Sequence, residues 1–143
     1  MAFYIMKQDV EIEGSAALDG LPKGMDSVDW ISGKKMPPPP ENLVLDLSLE
    51  SGDYRGDIID SFITLYSDEI KEALSECGVD NIDYYPVRLR DQEDDSTEGG
   101  FWIANIIGLL DCIDMDKSKT KPWVTGIGVD FESIVIDEAK TND

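Results

Sequence analysis

The chain has 143 residues, of which 31 are acidic, 12 are basic and none is histidine, so its formal net charge at pH 7 is -19. Such a surface repels nucleic acid and anionic membrane and attracts basic partners over about one Debye length, ~8 Å at physiological salt. Without histidine the chain has neither a Ser-His-Asp nor a Cys-His nucleophile and no histidine-ligated zinc. We therefore expect a binding protein with no cofactor, metal or catalytic residue; a carboxylate pair acting as acid and base is the catalytic alternative.

The composition predicts one folded domain. Hydrophobic residues make up 41% of the chain, which is too many for a disordered acidic tail. No span approaches the ~18 apolar residues of a membrane helix, and the first residues lack the basic leader of a signal peptide. Cys77 and Cys112 each lie inside an apolar pattern, which predicts two buried free thiols in a reducing cytoplasm rather than a disulfide.

The first third of the chain predicts two strands around an irregular excursion. Residues 3–7 alternate in a way that predicts a short strand covered on both faces. Residues 13–42 contain four glycines and a run of four prolines, which predict an excursion that Trp30 and Ile31 anchor to the core. The prolines are interpreted as a stiff spacer, with a ligand for a partner domain as the alternative. Alternating leucines predict a strand over 43–49 with one buried face.

The middle of the chain predicts one helix and one strand. Ser67 is a typical N-cap and Gly78 a typical C-terminal residue, and apolar residues at helical spacing lie between them. This pattern predicts a helix over residues 68–77. Residues 82–90 predict a strand with a β-bulge near residues 84–86.

An acidic loop and two further strands complete the predicted α+β domain, which has a mixed sheet and one main packed helix. Residues 91–98 contain five acids and nothing apolar that a core would bury. Residues 101–113 predict a central strand or a strand that bends at Gly108, and residues 131–136 predict a last strand. Asn105 and Asp111 interrupt the apolar stretch, so we expect both to find hydrogen-bond partners there.

Several short motifs resemble one bacterial family. They are the pair Phe101-Trp102 with Asn105, the hydrophobic-Asp-Cys-hydrophobic-Asp turn over residues 110–114, and Ser118. This order is similar to that of a domain first catalogued as of unknown function and later assigned to immunity proteins of polymorphic toxin systems. Tyr66-Ser67, Gly78-Val79, Tyr85-Pro86-Val87 and Trp30 with Gly33 occur in the family's order too, so the resemblance covers roughly residues 1–136.

Family members continue into another strand and helix beyond the position of Ile136. We therefore expect residues 1–143 to form a single immunity-protein-like domain that lacks this C-terminal strand and helix.

The resemblance implies a cytoplasmic immunity protein that binds and neutralises a cognate toxin and has no catalytic residue. Toxins that cut nucleic acid are basic because they hold phosphates, and similar family members lie beside nuclease toxins of type VI or contact-dependent secretion. The expected function is thus inhibition of a nuclease, either by a plug in its phosphate groove or by a clamp on an exosite. The alternatives are an adaptor or chaperone that holds a secreted effector before loading, and a general mimic of nucleic acid.

We expect the toxin to bind the acidic loop, because its carboxylates repel one another in the free protein. The alternative is a solvated loop kept acidic for solubility. An aromatic residue, Trp102 or Tyr54, would supply the buried anchor, and the acids after the apolar stretch are further candidates. The candidate residues are Asp91, Glu93, Asp94, Asp95, Glu98, Trp102, Asp111, Asp114 and Asp116.

Overall fold

A computed structural model describes residues 2–141, which belong to two units. The sheet unit spans residues 6–108, and the hairpin unit combines residues 1–5 with 109–143. The prediction of a single domain over the whole chain stays a prediction. In chain order the sheet unit contains α1 (Ser27–Trp30), β1 (Val44–Asp46), β2 (Ile58–Ser61), β3 (Ile63–Ser67), α2 (Asp68–Glu76), β4 (Ile82–Arg90) and β5 (Thr97–Ile106); the hairpin unit contains β6 (Lys119–Pro122), β7 (Val129–Ser133) and a 3₁₀ turn at Glu138–Lys140.

The sheet unit is built on five strands in the order β1-β4-β5-β3-β2. Strands β1 and β4 are parallel, and the other neighbours are antiparallel. The predicted α+β class, with a mixed sheet and one main helix, is therefore confirmed. The two longest strands, β4 and β5, form a hairpin whose turn is the acidic loop.

One face of the sheet forms the core together with the irregular excursion. Strand residues such as Leu65 and Ile103 are fully buried there, and Trp30 from the excursion is buried with them. Trp30 meets Tyr85 edge to face, with ring centroids 5.9 Å apart. Since each such side chain contributes about 1.5–3 kcal/mol when buried, the excursion stabilises the unit as a second layer. Ile31, predicted to share this role, is exposed.

The excursion and Gln8, which precedes it, cover the two edges of the sheet. Beside β1, the backbone N–H of Asp19 donates to the carbonyl of Asp46 at 2.9 Å. Beside β2, the buried Gln8 accepts from the N–H of Asp60 at 2.9 Å and donates to the carbonyl of Ala16 at 2.7 Å. Both edge strands are thus partly blocked against pairing with another chain.

Helix α2 confirms the predicted helix to within one residue. The hydroxyl of Ser67 accepts from the N–H of Ile70 and donates to Asp57 at 2.9 Å, so the N-cap is itself held in place. Gly78 follows the helix with φ 80°, a conformation that favours glycine. No residue of α2 is buried; the helix contacts the sheet through Asp68 and the partly exposed Lys71.

Four predicted strands differ from the observed ones. Residues 3–5 form no strand and are exposed, because they have no neighbouring strand to pair with. The strand predicted over 101–113 ends at Ile106, shortly before Gly108 with φ 98°. The strand predicted over 43–49 shortens to β1, and Leu49 is exposed. The last strand, predicted over 131–136, is β7 and lies two to three residues earlier.

The predicted bulge is present but lies between Val87 and Leu89 instead of at residues 84–86. Strand β1 pairs only with Arg88 to Arg90, so β4 has a single neighbouring strand at Pro86. The absent N–H of a proline is tolerated at such a position.

Two other sequence expectations also need correction. Strands β2, β3 and β6 were not predicted; β2 and β3 are separated only by Phe62, which has φ 59°. Cys77 and Cys112 are free thiols as expected, but Cys77 is exposed and Cys112 only partly buried.

Candidate functional site

The acidic loop is a structured turn between β4 and β5. The N–H of Asp91 donates to the carbonyl of Ser96 at 2.9 Å, which closes the turn. Two carboxylates then hold it: Asp91 accepts from the N–H of Glu93 and Asp94 from the N–H of Ser96, both at 2.9 Å. The hydrogen bonds from Ser96 lower the pKa of Asp94, because they stabilise its charged form. These two acids build the loop rather than extend freely into solvent.

The other acids of the loop fall into two groups. Glu93 and Asp95 are exposed, and neither accepts a hydrogen bond from any residue that the structure describes. Glu98 instead pairs with the guanidinium of Arg55. The nearby Arg90 is engaged by Asp46 at 2.8 and 2.9 Å, and this hydrogen bonding raises the pKa of Arg90. The negative charge of the loop tip is therefore available to a partner.

Trp102 lies on the sheet face that α2 covers. Its indole N–H donates to Asp68 at 2.6 Å, and the ammonium of Lys71 lies 3.4 Å from the centre of its ring. A cation at this distance interacts favourably with the π-face. Trp102 stands four residues along β5 from Glu98, the last acid of the loop, roughly 14 Å at 3.4 Å per residue. The structure thus does not bring Trp102 beside the acidic loop.

Asn105 and Asp111, which both interrupt the apolar stretch, have different environments. Asn105 is fully buried, accepts from the N–H of Met36 at 2.9 Å and donates to the carbonyl of Lys34 at 3.0 Å. The expectation that it finds partners is confirmed, and it connects the excursion to β5. Asp111 lies beyond the strand and is exposed, so the expectation for Asp111 was wrong.

The remaining candidates, Asp114 and Asp116, lie in the hairpin unit. Asp114 accepts from both the N–H and the ammonium of Lys117, the latter at 2.7 Å, and hydrogen bonding from that side chain lowers the pKa of Asp114. Its carbonyl accepts from Ser118 at 2.6 Å. Asp114 therefore builds a turn, whereas Asp116 is exposed.

An acidic cleft that the sequence did not predict lies at the N-terminus of α2. It encloses about 510 Å³ between the carboxylates of Asp57, Asp68 and Glu69, the ring of Tyr54 and the backbone of Gly99-Gly100. Carboxylates around an aromatic ring form a complementary environment for a lysine or arginine side chain. Exposed acids continue along the helix at Glu72 and Glu76, four residues apart. The sequence could have indicated that Glu72 and Glu76 lie together, because residues four apart share one face of the predicted helix.

The charge of the chain is concentrated in the sheet unit. This unit holds 23 of the 31 acidic residues and 8 of the 12 basic ones, a net charge of -15, whereas the hairpin unit has a net charge of -4. A basic partner is therefore attracted mainly to the sheet unit.

Comparison with known protein families identifies the family of this chain. The sequence model of the Immunity protein family (Imm11) matches residues 5–138. The chain belongs to the Imm11 immunity protein family. No curated protein matches it. As an Imm11 protein it confers immunity by binding a cognate toxin, and such proteins are generally non-catalytic.

The described part of this Imm11 protein offers no metal cluster and no membrane helix. Across residues 2–141, no three histidine, cysteine or acidic side chains are arranged to hold a metal ion. None of the helices in that range has the length and apolar character needed to cross a membrane.

Proposed function

We propose that this Imm11 protein inhibits a nuclease toxin in the cytoplasm of the producing cell, and that the sheet unit provides the binding surface. The main support is the charge of the sheet unit, which carries -15 of the net -19. A nuclease presents lysine and arginine to hold phosphates, so its active-site groove is complementary to such a surface. We also propose that this toxin is delivered by type VI or contact-dependent secretion.

The proposed acidic surface consists of the loop tip, Glu93 to Asp95, and the cleft formed by Asp57, Asp68 and Glu69. Glu98 connects the two parts, because it pairs with Arg55, which directly follows Tyr54 of the cleft. Asp111, Asp114 and Asp116 of the hairpin unit are not included. Asp91 and Asp94 belong to the proposal as the residues that fix the loop conformation.

Inhibition follows from competition between carboxylates and phosphates. Exposed carboxylates at the loop tip steer a basic toxin and accelerate its association, and the hydrogen bonds of Asp91 and Asp94 hold the loop in one conformation before binding. A preformed loop loses less conformational entropy on association. Tyr54, 47% exposed at the cleft, supplies the aromatic contact that a stable interface needs at its centre.

The test is a nuclease assay with the purified toxin encoded beside this protein. We expect stoichiometric inhibition, with association that slows as ionic strength rises. Binding without inhibition would favour the adaptor or chaperone that holds an effector before loading. Binding whose rate does not change with salt would remove electrostatic steering from the proposal.

A pair of double variants tests the location of the surface. Glu93→Gln with Asp95→Asn removes two charges from the loop tip without touching the turn-building carboxylates, and we expect slower association and weaker protection of cells. The matched control, Asp111→Asn with Asp116→Asn, removes the same charge from exposed positions of the hairpin unit and should leave both unchanged. If the hairpin-unit variant slows association and weakens protection while the loop-tip variant does not, the interface lies on the hairpin unit.

A further inference from the structure

The chain has three arginines, and all of them lie at the base of the acidic loop. Arg88 and Arg90 belong to the last three positions of β4, directly before the loop, and Arg55 pairs with Glu98 at the other end of the loop. The planar guanidinium of arginine can bind a carboxylate through two parallel hydrogen bonds, which the ammonium of lysine cannot do. The basic residue best suited to a carboxylate is thus concentrated beside the proposed toxin-binding surface.

Arg88 is the exposed arginine of the three, and it has no carboxylate partner in the described part of the chain. The other two pair with acids, Arg55 with Glu98 and Arg90 with Asp46. The chain contains 31 acidic residues, so the lack of an ion pair at Arg88 does not reflect a shortage of carboxylates. The charge of this guanidinium is therefore available to another molecule.

Thr97 holds the side chain of Arg88 in one orientation. Nε and Nη2 of Arg88 donate to the hydroxyl of Thr97 at 3.2 and 2.9 Å, and Nη2 donates to the carbonyl of Thr97 at 3.0 Å. Nη1 donates to no residue that the structure describes and lies beside Gly99, where a Cβ atom would be 3.5 Å away. Since glycine has no side chain to cover Nη1, one edge of the guanidinium is fixed and the other can reach an acceptor.

We propose that Arg88 determines which toxin this protein accepts, by donating from Nη1 to a carboxylate of the toxin. The inference rests on the proposed function, because it uses the same binding surface. Gly99, beside Nη1, also lines the acidic cleft. Thr97 directly precedes Glu98, the residue that connects the cleft to the loop tip. A toxin that covers the cleft and the loop tip therefore also covers Arg88.

Net charge alone does not distinguish one basic toxin from another. The carboxylates of the acidic surface attract any basic protein, whereas a cation within that surface favours a toxin with an acid at the matching position. A toxin with a lysine, an arginine or an apolar residue there would leave the guanidinium unpaired in the interface, which weakens binding. Arg88 thus supplies the repulsive element that specificity needs.

The first test is the kinetics of binding by Arg88→Met, measured by stopped flow with the purified toxin encoded beside this protein. The substitution keeps the aliphatic part of the side chain and changes the net charge from -19 to -20. We expect dissociation to become roughly tenfold faster or more, because the toxin carboxylate loses its partner. Association should be unchanged or slightly faster, since the added negative charge attracts a basic toxin.

The matched control is Lys34→Met, which makes the same change of charge at an exposed residue. The carbonyl of Lys34 accepts from Asn105, near the opposite end of β5 from Thr97, so we expect the control to dissociate like the wild type. If Arg88→Met dissociates no faster than Lys34→Met, the proposal is overturned. Tighter binding by Arg88→Met would overturn it too, because Arg88 would then only repel a basic toxin.

The second test searches for the toxin carboxylate by double-mutant cycles. Each acidic residue of the toxin is replaced in turn by its amide, and binding to the wild type is compared with binding to Arg88→Met. We expect one replacement to weaken binding to the wild type by roughly tenfold and to change binding to Arg88→Met very little. If no replacement is coupled to Arg88, the proposal is overturned.

Both tests record binding rather than nuclease activity, so the two proposals can fail separately. Absence of coupling in a toxin that the wild-type protein inhibits would overturn the role of Arg88 and leave the proposed function intact. Coupling to a toxin that is not a nuclease would support the role of Arg88 and overturn only the nuclease target.

Discussion

The sheet unit and the hairpin unit differ in how they bury apolar residues. In the sheet unit, alternating side chains from five strands meet an irregular excursion, and residues such as Leu65 and Ile103 are completely buried. In the hairpin unit, two strands pair, but no described side chain is buried. Similar apolar residues thus form a core only where a second layer covers them. Among the described residues, the buried core therefore lies in the sheet unit.

The largest expected effect is on the core of the sheet unit. Leu65→Ala should lower the free energy of unfolding by about 2–5 kcal/mol, because it removes a fully buried side chain and leaves a cavity. Ile127→Ala in the hairpin unit, where the side chain is 88% exposed, should change it by less than about 0.5 kcal/mol. Denaturant unfolding measures both. Equal losses would mean that the two units share a common core.

The next effect concerns the two polar residues of the apolar stretch. Asn105→Ala should cost about 1–3 kcal/mol, since the N–H of Met36 and the carbonyl of Lys34 lose their buried partner. Asp111→Ala should have almost no effect on unfolding, because Asp111 is exposed. A loss at Asp111 as large as that at Asn105 would contradict this difference between the units.

A smaller effect is expected at the contact between α2 and the sheet. Lys71→Met keeps the aliphatic part of the side chain but removes the cation over Trp102, which should reduce stability by about 0.5–1 kcal/mol. Lys140→Met, on the exposed 3₁₀ turn of the hairpin unit, is the matched control and should be neutral. Thermal unfolding, followed by the tryptophan signal, compares them. If Trp102→Leu, which removes the π-face, abolishes the difference between Lys71 and Met at this position, the effect acts through the aromatic ring.

The smallest effect is the pH dependence of the two turn-building acids. The pKa values of Asp94 and Asp114 are both lowered from 3.8, by hydrogen bonds from Ser96 and Lys117. A lowered pKa in the folded state stabilises the protein above the unfolded value, and this stabilisation is lost as pH falls through the folded pKa. Carboxyl NMR titration should show both groups titrating below 3.8. Asp94→Asn should make the stability of the sheet unit less sensitive to acid. If Asp94 instead titrates at 3.8, the hydrogen bonds of the turn do not stabilise its charged form.

Local chemistry predicted several features correctly because neighbouring residues decide them. Helix α2 follows from an N-cap serine, helical spacing and a terminal glycine, all within a dozen residues. Strand β4 follows from its alternation. Strands β2 and β3 were missed because a single residue, Phe62 with φ 59°, separates them, and no turn residue marks the boundary. The strand expected over 3–7 failed because a strand needs a neighbour, which a local pattern does not reveal.

The candidate site also has features that the sequence predicted and features that only the tertiary structure revealed. The sequence located the acidic loop, because five acids and no apolar side chain exclude burial, and the family motifs indicated an immunity protein. Only the tertiary structure separated the turn-building Asp91 and Asp94 from the exposed Glu93 and Asp95, and only it placed Asp57 beside Asp68 and Glu69. Charge and local hydrogen bonding are properties of the sequence, whereas a cleft depends on which distant segments pack together.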